Sequence, residues 1–265
     1  MATAADAQAP TGFAGTAAQR TAVSRIDRER QFYAIASGAF LLLTIVGFRQ
    51  FLLHARSIGG APMTPQIAGL IVVHGLAMLS WVTLLFVQSL LIVGRRANLH
   101  MKLGMAGAVL AGAIVTLGLT VAPLSAHYNP AIYDDFGGAR PFMVLALTSI
   151  LAFGALAAIG IACRRRPQVH RPMMLLATLP LMTGAIDRWP HFPWLLALAH
   201  GNVPLVHWGQ ILLLGGLLFP LHTAMTRRVS GHYVMGYAGL TVVLYLSAIV
   251  FHSTAWDQIA RLVVP

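Results

Sequence analysis

The sequence predicts an all-α fold, a bundle of seven transmembrane helices with the N-terminus in the cytoplasm. Three observations carry this reading. Hydrophobic residues make up 57% of the 265 residues and charged residues only 9%, against the usual quarter, which is too few to coat a water-facing surface of this size. Seven apolar segments recur, each long enough, or nearly so, to cross about 30 Å of hydrocarbon. Basic residues gather in alternate connections between those segments, which sets orientation by the positive-inside rule.

Residues 1–30 are polar and then basic (Arg20, Arg25, Arg28, Arg30) and hold no apolar core of a signal peptide. They read as a mobile basic cytoplasmic tail ahead of a transmembrane helical domain over 31–265. The apolar segments lie at about 32–53, 66–93, 103–124, 141–162, 172–188, 203–225 and 233–255. The fifth is the shortest. No segment alternates as a β-strand does.

The connections differ by side. The tail, Arg95, Arg96 and Lys102, then Arg164, Arg165, Arg166 and Arg171, then Arg227 and Arg228 hold most of the 18 Lys and Arg. The other side holds Arg56, Arg140 and Arg188 with Asp134, Asp135 and Asp187. Trp189, Trp194 and Trp256 fall near the outer ends, where an aromatic belt belongs. Residues 189–202 read as a short re-entrant or interfacial helix. In the third segment, Ala108 and Gly112 form a small-xxx-small pair suited to close helix packing.

The formal net charge is +11. Its confinement to loops points to anionic lipid headgroups and not to nucleic acid. A single cysteine, Cys163, excludes a disulfide scaffold and lacks a second thiol for exchange. No Walker motif, dinucleotide loop, GxSxG or HExxH occurs, so nucleotide hydrolysis and the familiar hydrolase chemistries have no support. The dense histidine clusters of membrane di-iron enzymes are absent as well.

Three basic loops share a pattern of two arginines, three residues and a histidine: Arg95-Arg96 to His100, Arg165-Arg166 to His170, and Arg227-Arg228 to His232. The pattern suggests a lone first helix followed by three copies of a helical hairpin.

Eleven histidines on so apolar a chain invite a functional reading, because ionisable groups in a bilayer are costly and mark sites. His74 lies roughly 10 Å inside the outer end of its segment by helix rise, and His207 and His252 roughly 6 Å inside theirs. These three form an outer layer able to hold a transition metal. His100, His170 and His232, with His222 nearby, form an inner layer. Two layers of imidazole match the plan by which membrane cytochromes hold haem b between helices, with His74, His207, His100 and His170 as ligands. Gly75, Gly209, Gly215 and Gly216 would leave room for the macrocycle. The plainer reading is that the loop histidines cap helices or meet lipid phosphate, and that His74 and His207 make interhelical hydrogen bonds. Asp187-Arg188 reads either as a self-satisfied interfacial ion pair or as a proton-relay or anion-anchoring pair at an outer cavity.

At His74-Gly75-Leu-Ala-Met-Leu-Ser-Trp81, Gln88, Gly94-Arg95-Arg96 to His100 and Leu103-Gly104, the chain resembles a family of uncharacterised bacterial polytopic membrane proteins. The stretch from His170-Arg171-Pro-Met-Met to Asp187-Arg188 is similar to that family's second block. The plan is more distantly similar to membrane proteins of the b-type cytochromes and of haem-copper oxidase assembly. The resemblance implies a multi-pass protein of the bacterial inner membrane and brings no established activity. Three functions follow as expectations. One is haem or transition-metal binding in electron transport or assembly of a respiratory membrane complex. Another is a transporter or channel-like carrier of a small solute, with a cavity lined by His74, Asp187 and Arg188. The last is a structural subunit of a membrane complex.

Overall fold

The computed structural model describes residues 17–56, 62–189 and 191–264. The tail's residues 1–16 and the loop residues 57–61 lie outside them. Among the described residues the chain is all-helical, with one isolated bridge between Arg56 and Pro62. The ten α-helices are α1 (Ala17–Gly47), α2 (Arg49–His54), α3 (Ala68–Val93), α4 (Ala97–Tyr128), α5 (Ala139–Ala162), α6 (Pro167–Ile186), α7 (His191–Leu198), α8 (Val203–Thr226), α9 (Gly231–Phe251) and α10 (Thr254–Ala260). A 3-10 helix, Pro130–Phe136, joins α4 to α5. Helix α1 therefore takes in the second half of the segment read as a tail.

Six of these helices are long and apolar enough to cross a membrane: α1 from Ile26, α3, α4, α5, α8 and α9. The chain is a multi-pass integral membrane protein. Its outward faces carry large apolar residues, among them Leu42, Met105, Val109, Leu213 and Tyr245, as contact with lipid requires. Helix α6 covers the fifth predicted segment and differs from the six. It packs against α1, α3, α5, α8 and α9 at the centre of the bundle. Its face residues from Pro172 to Met182 are nearly all buried. A helix walled in by other helices touches little lipid, so it tolerates His170, Arg171, Pro172 and Pro180.

Close approach at the centre depends on glycine. A Cβ on Gly47 would sit 2.3 Å from the Ala185 carbonyl oxygen, so α1 and α6 meet backbone to backbone there. Helix α4 packs through Gly107, Ala111, Ile114 and Gly118. The expected pair Ala108 and Gly112 points elsewhere: a Cβ on Gly112 would meet nothing within 4 Å. The small-residue pair that does the packing is one position earlier, a 100° rotation around the helix.

Local signals set the ends. Asn202 accepts the Leu205 N–H and opens α8 just before Pro204. Ser230 and Ser253 accept the N–H groups of Tyr233 and Trp256 at the starts of α9 and α10. Helices α4 and α6 begin after Arg96 and Arg166 with no side-chain cap. The acids of α1 meet basic residues within and beyond it: Asp27 pairs with Arg30 of its own helix at 3.2 Å and with Arg95 of the α3–α4 loop at 3.9 Å, and Glu29 pairs with Arg171 of α6 at 3.3 Å. Helix α7 occupies the stretch predicted to be a short helix. Beyond α9, Arg140 and Asp257 pair at 3.1 Å and fix α10 against α5.

Candidate functional site

The helix ends remote from the arginine-rich loops surround a half-open cavity of about 220 Å³. Its wall is mostly apolar, with Phe48, Ile71, Met78, Phe136, Phe142, Ile150 and Leu181 among the lining residues. Its polar groups are few; Ser149 of α5 and Thr183 of α6 are turned to the carbonyls of their own helices, and the others come from five elements. Helix α3 supplies His74, α4 supplies Ser125, the 3-10 helix supplies Tyr133, the end of α6 supplies Asp187 and Arg188, and α8 supplies His207. Arg56 lies at its edge beyond α2.

The centre of this arrangement is a histidine–carboxylate couple. His207 Nδ1 and Asp187 Oδ2 are 2.5 Å apart, and the two side chains are almost fully buried. Gln210, one turn along α8, donates to the other carboxylate oxygen at 3.1 Å. With Nδ1–H donating to the carboxylate, His207 Nε2 is left as the acceptor. That atom is buried without a hydrogen-bond partner, as is His74 Nδ1. Phe142 and Trp208 pack on the His207 ring at 5.7 and 4.4 Å between centroids.

The self-satisfied pair Asp187–Arg188 does not form. Asp187 turns to His207, while Arg188 donates to the Gly184 carbonyl behind it and lies over the Phe48 ring at 4.3 Å. Tyr133 donates to Ser125 Oγ at 2.7 Å, and burial pushes its phenol upward.

Four of the predicted residues, His74, Asp187, Arg188 and His207, thus line one cavity. His252 does not join them. It caps the C-terminus of α9 and is exposed, because its neighbour Phe251 takes the inward direction and the next residue turns about 100° away. Among the described residues, no three of His, Cys, Asp and Glu are grouped to hold a metal ion. The expected room for a macrocycle is also largely filled. Phe51 lies 3.0 Å from where a Gly75 Cβ would stand, and Leu179 and Tyr237 lie 2.8 Å from that of Gly215. Gly216 faces the Tyr237 hydroxyl, and Gly209 faces open space.

At the opposite end, His100 and His170 meet edge to face with ring centroids 6.3 Å apart. His170 Nδ1 is 2.8 Å from the Gly160 carbonyl, and Gln88 donates to the His100 carbonyl at 3.1 Å. His232 is exposed and stands apart from this pair. His222 is buried against Phe32 and Tyr33. The other expected outer histidines behave as surface groups: His54 and His200 are exposed, and His127 bonds the Val263 carbonyl at 2.7 Å. The side chain of His191 lies outside the described residues.

Gln210, Tyr133 and Ser125 had no place in the sequence reading of the site. For Gln210 a signal existed: it follows His207 by three residues and so shares its helix face. Comparison of the chain with protein-family profiles, with curated proteins and with solved structures finds no match.

Proposed function

We propose that the protein is a carrier of a small solute, which it binds in the cavity between His74, Arg188 and the Asp187–His207 couple. The carrying observation is that couple, buried in a cavity at one end of a membrane bundle. Buried ionisable groups in a membrane protein mark solute or proton routes. The cavity has the volume of about seven waters at roughly 30 Å³ each, which suits a small molecule. In this reading α6 is a seventh span, its 20 residues reaching about 30 Å at 1.5 Å per residue. The arginine-rich loops face the cytoplasm and the cavity opens outward, in a bacterial inner membrane.

Purified protein in liposomes, challenged with labelled small carboxylates, inorganic anions, amino acids and sugars, tests this. At least one class is expected to cross, and Asp187→Asn and His207→Gln to slow it at least tenfold. Absence of flux and of saturable binding for every class would overturn the proposal.

A second reading is favoured by one feature. A histidine that donates one ring N–H to a carboxylate and keeps the other nitrogen free is the usual form of a metal ligand. His207 has that form, and His74 lines the same cavity. On this ground the second reading is a protein that binds haem or a transition metal in electron transport. The volume of about 220 Å³ lies under the ~300–1,000 Å³ usual for larger ligands, which favours a bare metal over a porphyrin. An absorption spectrum with metal analysis separates the cases. A Soret band or a stoichiometric metal, lost in His74→Ala and in His207→Ala, would establish this reading in place of the carrier.

A further inference from the structure

We propose that the solute is a small monocarboxylate, bound head-first beside Arg188 and His207, and that one proton is taken up with it. The proposal rests on the carrier reading above and gives it a substrate class.

Charge points to the class. Asp187 is the one carboxylate lining the cavity among the described residues, and both of its oxygens are engaged, by His207 and by Gln210. The guanidinium of Arg188 carries five N–H donors in a fork that matches a carboxylate. Within the protein it meets the Gly184 carbonyl and the face of Phe48, and no carboxylate is in ion-pair contact with it. Asp187 acts on the guanidinium from a distance, and its own oxygens are taken by His207 and Gln210, so the fork is left open to a further acceptor. A carboxylate supplies two such acceptors in one group. The apolar wall receives the rest of the molecule, and the volume limits it to a few carbons. A doubly charged anion would have to carry its second charge past the apolar wall to reach Arg56.

The proton follows from the tautomer. His207 donates from Nδ1 to Asp187, so in the neutral ring Nε2 holds a lone pair. A lone pair repels an incoming carboxylate. Once Nε2 takes a proton, the same nitrogen becomes a donor, and the imidazolium lies between Asp187 on one side and the solute on the other. Binding and protonation are therefore linked, each favouring the other. The remaining groups around the cavity are His74, Arg56 and the Tyr133 phenol. His74 offers a second site for the proton, and a variant tells the two apart.

The experiment is titration calorimetry on the full-length protein in lipid nanodiscs, with propionate and its neutral analogue propionamide. Runs at pH 6 and pH 8, in two buffers of different ionisation enthalpy, count protons. Propionate is expected to bind at least tenfold more tightly than propionamide and at least tenfold more tightly at pH 6 than at pH 8, with uptake of up to one proton. Arg188→Gln is expected to weaken propionate at least tenfold. His207→Gln is expected to remove the pH dependence, whereas His74→Gln keeps it. Equal binding of amide and acid, or affinity independent of pH, would overturn the inference using unmodified protein alone. If neutral solutes bind and carboxylates do not, the carrier reading survives and this inference falls. If no solute of any class binds, both fall.

Discussion

His100 and His170 occupy the same station on two different helices. Each is the fourth residue of its helix, each follows an arginine that precedes the first turn, and each backbone N–H returns to that arginine's carbonyl, at 3.1 Å from Arg96 and 3.0 Å from Arg166. Their rings then meet edge to face. Two of the three expected hairpins therefore match at this position. The third does not: Ser230 caps α9, which places His232 second in its helix and on the surface. The contact predicts coupling. In a double-mutant cycle with His100→Ala and His170→Ala, the pair should show about 0.5–1.5 kcal/mol of interaction energy, the range for an edge-to-face ring pair. Denaturation in mixed micelles measures it, and additive losses would remove the contact from consideration.

Gly47 and Gly112 should respond oppositely to alanine. Gly47→Ala drives a methyl group into the Ala185 backbone and is expected to cost about 1–3 kcal/mol as overpacking. Gly112→Ala meets nothing and should gain up to about 1 kcal/mol from reduced backbone freedom. Thermal unfolding of both variants decides. Equal effects would mean that α1 and α6 are not in backbone contact.

Trp81 donates its indole N–H to Thr178 Oγ1 at 3.1 Å between two fully packed side chains of α3 and α6. Thr178→Val should cost about 1–3 kcal/mol, because the indole N–H is left buried without an acceptor. Thr178→Ser keeps the oxygen and should recover most of that loss. Trp81→Phe in the Thr178→Val background should cost less than the two single changes added together. Simple additivity in the unfolding measurement would show the bond to be absent.

Orientation is testable without a structure. Reporter fusions after residues 97 and 133 should report opposite sides of the membrane, the first cytoplasmic and the second external, with labelled cysteines as an independent check. The same side for both would defeat the proposed seven-span topology.

Much of this arrangement was legible in the sequence, for identifiable reasons. Apolar runs bounded by arginines mark the six helices long and apolar enough to cross a membrane, since lipid contact demands apolar length and charge collects at its ends. Position along a helix is readable by counting, which singled out His74 and His207, and Asp187-Arg188 stood out as charge at a helix end. Pairing was not readable. That Asp187 faces His207, and not its neighbour Arg188, depends on how α6 and α8 rotate against each other. The same rotation decides that Phe251 faces inward and His252 does not. Ala108–Gly112 and Gly107–Ala111 look alike as strings, and only the packing of α4 against α3 and α5 tells them apart. Helix α6 was legible as a segment, although its polar residues make sense only once its neighbours are in place.

The enclosure of α6 has a consequence for how the protein is made. A segment carrying His170, Arg171, Pro172 and Pro180 partitions poorly into lipid on its own. It should leave the insertion machinery joined to α5, as a hairpin, and stay incompletely shielded until α8 and α9 are synthesised. A nascent chain halted after α6 would then expose those polar groups to the bilayer and become a substrate for quality-control proteolysis, whereas one halted after α9 would persist.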